Sequence, residues 1–297
     1  MEWRLGDLTL DLARPAGAGI VNVTVDSMFE GARSGTPEQA IADGIGLARA
    51  GFDMLDVGAV AARSGPPVTV EDECAALIPA IAGMAALRVG AGDFDADEGG
   101  GAESEAGVPV PVSADTFQVE VARRALDAGA CCVNDISGGC EEMFELVAAR
   151  GCGYVLMHIE GPPRVDRPWR EYDDVVARLV RWFEERVEAM RELGVGEAQI
   201  AIDPGLDFDL SPEQDLEIMR RLDELKALGL PLYVSLSRKD FIGAVLAGSW
   251  EERLPPGERE WGTVAATTLA VRSGADILRL HDRSSLQAMR LAGAVRG

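Results

Sequence analysis

Short apolar runs end in polar clusters eight times along the chain, and stretches with helical spacing of apolar positions lie between them. These runs with their clusters cover residues 20–27, 54–59, 111–116, 131–138, 154–161, 200–205, 232–241 and 277–283. Short runs rich in β-branched residues that alternate with helices are typical of a parallel sheet with crossover helices. Eight such units predict an α/β fold, a closed (β/α)₈ or TIM barrel, whose catalytic groups collect at the carboxyl ends of the strands.

Helix boundary signals support this alternation. Thr36 and Pro37 begin the first predicted helix as an N-cap and a first-turn proline, and Ser211 and Pro212 repeat the signature at the start of a helix predicted over residues 211–228. Other helices are predicted over residues 70–83, 118–128, 141–150, 171–193, 260–273 and 284–292. Residues 3–13 predict a hairpin, which we expect to plug the bottom of the barrel.

One segment, residues 90–107, is rich in glycine and acidic residues and breaks the pattern. Such a composition buries too little apolar surface to order itself, which predicts a flexible excursion. It precedes the third strand, so we expect it at the end of the barrel opposite the site, without a catalytic role. No other boundary interrupts the chain, and a single barrel domain is predicted over residues 1–297.

Composition excludes several classes of partner. The net charge of −22 argues against nucleic acid and anionic membranes, because phosphate binding needs a basic face. No apolar run approaches the roughly 18 residues that a membrane helix needs. The first residues lack the pattern of a signal peptide, so a cytoplasmic location is expected. Five cysteines without CxxC spacing favour reduced thiols over a disulfide framework.

The chain nearly excludes lysine, with two lysines among 28 basic residues, and one of them, Lys239, lies at the seventh strand end. This position suggests a role that arginine cannot fill. Carboxylate and amide groups from several strands can bind a heterocycle rich in donors and acceptors, and cationic groups can bind an anion. The polar strand-end residues are Asn22, Asp26, Asp56, Arg63, Asp115, Asn134, Asp135, His158, Asp203, Lys239, Arg279, His281 and Asp282.

Ordered motifs occupy the same strand ends. They read NVTxDS (22–27), DxFQxEVARxALxAGAxxVNDISGG (115–139), MHxxGxP (157–163), DPG (203–205), SRKxFIG (237–243) and GTxAAxxLAxxxGADIxRxHD (262–282). From Trp3 to the C-terminus, apart from the acidic excursion, the chain resembles the dihydropteroate synthase family. This resemblance implies a transferase of folate biosynthesis that condenses 6-hydroxymethyl-7,8-dihydropterin pyrophosphate with p-aminobenzoate, with Mg²⁺ assisting.

For individual residues, the resemblance implies a pterin pocket of Asp115, Asn134, Asp203, Lys239 and Arg279. Carboxylate and amide oxygens suit the amino and ring N–H groups of a pterin, and a compact ammonium suits its ring carbonyl and N5. Asp115 would also stabilise the positive charge that develops as pyrophosphate leaves. The implied catalytic residues are Asp115, Lys239, Arg279 and His281.

The resemblance also implies a pyrophosphate and acceptor side, formed by Asn22, Arg63, Phe208, Asp240 and His281. The predicted Mg²⁺ would lie nearest Asn22, with help from Asp26 or Asp56. Magnesium commonly keeps several waters and shares substrate phosphates rather than sitting in a full protein cage.

Departures from the family pattern gather on this acceptor side. Relative to the family pattern, a threonine is replaced by Ala62, a proline by Ser64, two glycines by Asp207 and Asp209, a lysine by Leu210 and a serine by Asp240. In the family, the hydroxyl of that serine helps to hold the aminobenzoate carboxylate. An Asp240 carboxylate about 4 Å from it would instead repel it by ~4 kcal/mol at an effective dielectric near 20. Either Asp240 faces the pocket and weakens a carboxylate acceptor, or it points away and caps the following helix.

The leading interpretation is a dihydropteroate synthase with small pterin and arylamine substrates. The alternative is a synthase-like pterin-binding protein with another acceptor or no synthase activity, similar to a divergent group found beside the ordinary enzyme in some actinobacteria. A methyltetrahydrofolate-using methyltransferase shares the barrel, but the SRKxFIG and RLHD motifs favour the synthase lineage. So many polar strand ends disfavour a purely structural role. The sequence leaves the oligomeric state open, a homodimer among the options.

Overall fold

Eight parallel strands form the central sheet of the computed structural model, which describes residues 1–23, 34–62, 65–90, 107–165 and 167–296. The strands are β3 (Ala16–Asn22), β4 (Met54–Gly58), β7 (Val112–Asp115), β8 (Cys132–Asp135), β9 (Gly153–Met157), β10 (Ile200–Asp203), β11 (Tyr233–Ser235) and β12 (Ile277–Leu280). They follow the order β10-β9-β8-β7-β4-β3-β12-β11, and a parallel bridge from Ile202 to Leu232 joins the two ends. The closed barrel confirms the predicted fold.

Ten α-helices follow or separate the strands in the described part of the chain. They are α1 (Pro37–Arg49), α2 (Val70–Ala85), α3 (Val119–Asp127), α4 (Glu141–Arg150), α5 (Val175–Glu192), α6 (Pro212–Arg220), α7 (Leu222–Lys226), α8 (Asp240–Ala247), α9 (Glu260–Arg272) and α10 (Arg283–Arg296). Thr36 and Ser211 accept hydrogen bonds from the third residue of their helices, as their cap signatures predict.

Two helix predictions need correction. The helix predicted over 211–228 divides at Arg221 into α6 and α7. Helix α8 was not predicted, because residues 240–247 are almost wholly apolar and lack the one-sided pattern of a surface helix. The seventh strand ends at Ser235, whereas its apolar run and polar cluster were predicted to extend to residue 241.

The N-terminal hairpin lies at the bottom of the barrel, as expected. It consists of β1 (Glu2–Leu5) and β2 (Leu8–Asp11), which pair antiparallel around Gly6. The side chains of Trp3 and Leu5 are fully buried. The Trp3 indole donates a hydrogen bond of 2.8 Å to the carbonyl of Gln199, which directly precedes β10. The hairpin thus covers the amino ends of the strands and leaves the opposite mouth for chemistry.

The predicted excursion at 90–107 falls almost entirely on residues 91–106, which lie outside the described residues. On either side of it, β5 (Arg88–Val89) pairs antiparallel with β6 (Val108–Pro109). This pairing lies before β7, on the amino side of that strand. Within the described ranges, no helix is long and apolar enough to span a membrane.

Candidate active site

Arg279, near the end of β12, links two carboxylates inside the barrel mouth. Its Nε donates a hydrogen bond of 2.5 Å to Asp56 Oδ2, and its Nη2 donates one of 2.7 Å to Asp115 Oδ2. The amide of Asn134 donates to the same Asp56 oxygen at 3.0 Å. Strand register places Asp115 beside Asn134 and opposite Gly58. Four strands therefore hold one connected network, in which three of the predicted pterin residues meet.

Burial changes the protonation of this network. Desolvation raises the pKa of Asp115 to about 7, although the Arg279 guanidinium opposes the shift; repulsion from Asp56 adds to it. Desolvation likewise raises the pKa of Asp203 to about 6, against the attraction of Lys239. Carboxyl groups that titrate near neutral pH in a barrel mouth are typical of a functional site.

Asp203 and Lys239 form the second part of the predicted pterin pocket. Asp203 ends β10 and accepts a hydrogen bond of 2.8 Å from the backbone of Gly205. Gly205 has a φ of 71°, and a Cβ there would lie 2.2 Å from the His158 carbonyl oxygen, so only glycine fits. This explains the DPG motif: the turn brings the next backbone atoms toward the mouth.

The Lys239 ammonium lies between the two sides of the site. It donates to the carbonyl of Leu206 and lies 4.7 Å from the centre of the Phe208 ring. Burial lowers the pKa of Lys239, and the nearby carboxylates, Asp203 first, oppose that shift. A single ammonium can thus contact a heterocycle on one side and an aromatic acceptor on the other.

His281 follows β12, and its ring contacts a serine. Its Nδ1 lies 2.8 Å from Ser237 Oγ. Burial lowers the pKa of His281 to about 3, and repulsion from Arg279 and Arg238 contributes. The imidazole is therefore neutral near pH 7, so an anion at this position would meet a polar ring rather than a second positive charge.

Asp207 caps helix α8, a contact that the sequence analysis missed. Its Oδ1 accepts from the Phe241 amide at 3.0 Å, and its Oδ2 accepts from the Asp240 amide. The backbone φ of Asp207 is 67°, in the left-handed region that glycine prefers and aspartate tolerates. An aspartate at a family glycine position was the available signal. The backbone amide of Asp207 donates to both carboxylate oxygens of buried Asp215, at 3.1 and 3.2 Å.

Asp240 itself is paired with arginines. Its Oδ1 accepts from Arg259 Nη1 at 2.7 Å and lies 3.5 Å from Arg253 Nε. The sequence left open whether Asp240 faces the pocket or caps a helix. In the structure it is the first residue of α8, its charge is offset by Arg259, and the capping carboxylate belongs to Asp207.

An aromatic cleft of about 340 Å³ lies beside Phe208 on the acceptor side. The rings of Trp169 and Trp250 meet edge to face with centres 5.0 Å apart and line the cleft. Asp209, which also replaces a family glycine and has a φ of 60°, accepts from Arg167 Nε at 2.9 Å. The sequence did not reveal this cleft, because its walls come from separate loops.

Other predicted residues lie near the mouth or outside the described chain. Asn22 ends β3 opposite Gly58, and its carbonyl accepts from the Ser34 amide at 2.9 Å. Arg63, Ser64 and Asp26 lie outside the described residues. Ala62 packs with Phe208 against a small cluster of Ile136, Met157 and Ile159. Buried His158 lies against the Trp182 ring, 5.0 Å between centres, and does not join the Arg279 network.

The fold and the site define a barrel enzyme with a buried, charge-rich pocket for a polar heterocycle. A family described as pterin binding enzymes matches residues 18–91 and 102–281. The chain belongs to this family.

The chain is similar to dihydropteroate synthases of several bacteria. Dihydropteroate synthase of Synechocystis sp. is 36% identical over 267 residues, covering 89% of this chain and 84% of that protein. The Escherichia coli dihydropteroate synthase is 32% identical over 289 residues, covering 96% of this chain and 93% of that protein. The structure of Xanthomonas albilineans dihydropteroate synthase with 7,8-dihydropteroate has a TM-score of 0.78 and 32% identity, covering 100% of this chain and 98% of that one.

Proposed function

We propose that the protein is a dihydropteroate synthase, a transferase that joins 6-hydroxymethyl-7,8-dihydropterin pyrophosphate to p-aminobenzoate. The observation that carries this proposal is the connected pterin side, where Arg279 bridges Asp56 and Asp115 while Asp203 and Lys239 lie beside it. The identity with dihydropteroate synthases over most of the chain supports the same activity. This agrees with the leading interpretation of the sequence.

In the reaction, the arylamine nitrogen forms a bond to the pterin methylene carbon as the bond from that carbon to the pyrophosphate oxygen breaks. The amine loses one proton, and pyrophosphate leaves with the bonding electrons. Positive charge grows on the pterin methylene as the leaving group departs, so a fixed carboxylate there lowers the barrier. Asp115, held by Arg279, is the residue we assign to that task.

Asp203 and Asn134 would accept hydrogen bonds from the pterin, and Lys239 would donate to it. A charged hydrogen bond to a buried donor contributes about 1.5–3 kcal/mol. Arg279 would lie against the ring, and neutral His281 would present hydrogen-bonding atoms to the pyrophosphate. Arg63 is proposed for the pyrophosphate on the family resemblance alone.

We also propose that Mg²⁺ assists departure of pyrophosphate, with Asn22 as its protein ligand. The carboxamide oxygen of an asparagine at the end of β3 is a ligand that this ion accepts. Asp56 Oδ1 is buried without a hydrogen-bond partner, which leaves one more oxygen for the ion or its water. Among the described residues, no group of three histidine, cysteine or acidic side chains is placed to hold a metal ion. The ion would therefore take its other ligands from pyrophosphate and water.

One assay tests the activity. Purified protein with the pterin pyrophosphate, Mg²⁺ and p-aminobenzoate should form dihydropteroate and release pyrophosphate, and excess chelator should stop turnover. Asp203→Asn should weaken pterin binding by about tenfold or more, measured by calorimetry. Normal folding and pterin binding without product would refute the synthase activity.

The cytoplasmic location and the absence of nucleic-acid partners stay predictions, and we propose a homodimer, an option that the sequence leaves open. Exposed apolar side chains on neighbouring helices support the dimer: Leu246 on α8, Trp261 and Leu269 on α9, and Leu291 on α10. Light scattering should give twice the chain mass, and Trp261→Glu should shift the protein to a monomer. A monomeric wild type would contradict this prediction.

A further inference from the structure

The N-terminus of α8 opens next to the proposed acceptor site. Lys239 is the residue before the helix, and its ammonium lies over the Phe208 ring. The first amides of a helix point outward without intrahelical partners, and together with the helix dipole they favour an anion. A para carboxylate on an arylamine bound beside Phe208 could accept hydrogen bonds from those amides if they were free.

In this chain the first amides of α8 already donate hydrogen bonds to a side chain of the protein. Both the Asp240 and the Phe241 N–H groups donate to the carboxylate of Asp207, which is buried. A second acid, Asp215, lies directly behind it and accepts from the Asp207 amide. An incoming carboxylate would therefore lose both donors and meet negative charge instead.

The neighbouring arginines already donate to groups of the protein. Arg259 and Arg253 face Asp240, and Arg167 faces Asp209 through two of its nitrogens. Arg164, which also lines the cleft, donates to the backbone carbonyls of Ala61 and Pro66. Six of the ten residues that line the cleft are apolar, Trp169 and Trp250 among them, and its charged residues are Arg164, Arg167, Asp207 and Asp209. The surroundings of the acceptor thus favour an aromatic ring over a charged tail.

We propose that Asp207 is a specificity-determining residue, whose carboxylate fills the α8 N-terminus so that the enzyme recognises its arylamine by the ring and not by a para carboxylate. This inference rests on the proposed synthase function and widens its acceptor class from p-aminobenzoate to aromatic amines that are charged or neutral at the para position. The ring binds in the cleft between Phe208 and the tryptophan pair, with its amine toward the pterin methylene.

Binding of two isosteric acceptors tests the proposal. The protein is saturated with 6-hydroxymethylpterin and magnesium pyrophosphate, so that no reaction is needed, and calorimetry compares 4-aminobenzoate with 4-aminobenzamide. The wild type should bind the two within about threefold. Asp207→Gly frees the two amides and suits the φ of 67°, so it should tighten 4-aminobenzoate by about tenfold while the amide changes by less than about threefold.

Asp174→Gly is the matched control. It removes another helix-capping carboxylate, which accepts from the Ala177 amide at 2.9 Å at the start of α5, and Asp174 does not line the cleft. It should change the affinity of both ligands by less than about threefold. If Asp207→Gly fails to fold, Asp207→Asn removes the charge while keeping an oxygen for the amides, and 4-aminobenzoate should still gain relative to 4-aminobenzamide.

Two results would overturn the inference: a wild type that prefers 4-aminobenzoate by about thirtyfold or more, or an Asp207→Gly variant with an unchanged preference. Failure of the synthase activity gives a different result. In that case both ligands and the pterin bind, but the reactive pterin pyrophosphate gives no product with either amine.

Discussion

The pterin side and the acceptor side of the site use their carboxylates differently. On the pterin side, Asp115 and Asp203 are buried with pKa values raised to about 7 and about 6. Asp115 pairs with Arg279 from another strand, while Asp203 accepts from the Gly205 amide and is attracted by the Lys239 ammonium. On the acceptor side, the carboxylates of Asp207 and Asp240 are used by backbone amides and arginines of the protein itself. Acids on the first side are placed for a ligand, whereas acids on the second side complete the fold.

The largest effect should follow Arg279→Lys on the pterin side. A lysine carries one compact charge and cannot bridge Asp56 and Asp115 with a planar fork, so one buried carboxylate loses its partner. We expect kcat/KM to fall about 100-fold, equivalent to about 2.7 kcal/mol, in steady-state assays.

Arg221→Lys provides the control, because Arg221 also bridges two acids, Asp174 and Glu224, at the protein surface. Surface pairs contribute about 0–1 kcal/mol, so activity should change less than about threefold. Equal losses in the two variants would contradict the special role of the buried bridge.

The pH profile should show the titration of Asp115. With a pKa of about 7, its charged fraction rises about tenfold between pH 6 and pH 8, and kcat/KM should rise with it. Asp115→Asn should remove this step. The folded pKa lies above the ordinary aspartate value of 3.8, so the free energy of unfolding should fall as the pH rises from about 4 to about 7 and level off above that. A flat wild-type profile would show that the Asp115 charge does not assist the reaction.

A smaller effect on activity is expected from Asp240→Ser, which restores the family residue on the acceptor side. Removing the carboxylate leaves buried Arg259 without its partner, so we expect a stability loss of about 2 kcal/mol in denaturant unfolding. Turnover of p-aminobenzoate should stay within about threefold, because Asp207 still fills the helix end.

Asp174→Ser removes an exposed partner of Arg221 and should cost less than about 1 kcal/mol. If Asp240→Ser instead raised kcat/KM by about tenfold at unchanged stability, Asp240 would be facing the acceptor.

The smallest effect should come from replacing residues 91–106 with a short glycine turn. Val89 and Val108 pair across the deletion, so a short connection can close it. Pterin affinity should stay within about twofold by calorimetry, since the flanking strands β5 and β6 come before β7, on the side away from the site. A tenfold loss would mean that the segment reaches the site.

The pterin side could be predicted from the sequence because most of its residues lie at the carboxyl ends of buried strands. Asp115 and Asp203 are the last residues of their strands, Asn134 is the second to last, and the carboxyl ends of parallel strands all meet at one mouth. The glycine-to-aspartate changes also marked the acceptor side as divergent.

The remainder of the acceptor side depends on tertiary contacts. Asp207 caps a helix that begins after the next strand, and the apolar sequence of α8 hides its period. The Trp169–Trp250 pair joins two loops with no local pattern. Sequence spacing does not determine which distant groups satisfy a helix end or close a cleft.

The docked N-terminal hairpin has a consequence for synthesis of the chain. Trp3 and its partner Gln199 are 196 positions apart. At a synthesis rate of about 5–20 residues per second, the ribosome needs roughly 10–40 s to make the intervening chain. For that time Trp3 and Leu5 have no barrel to cover, so the nascent protein exposes an apolar hairpin that chaperones can hold until the sheet is nearly complete.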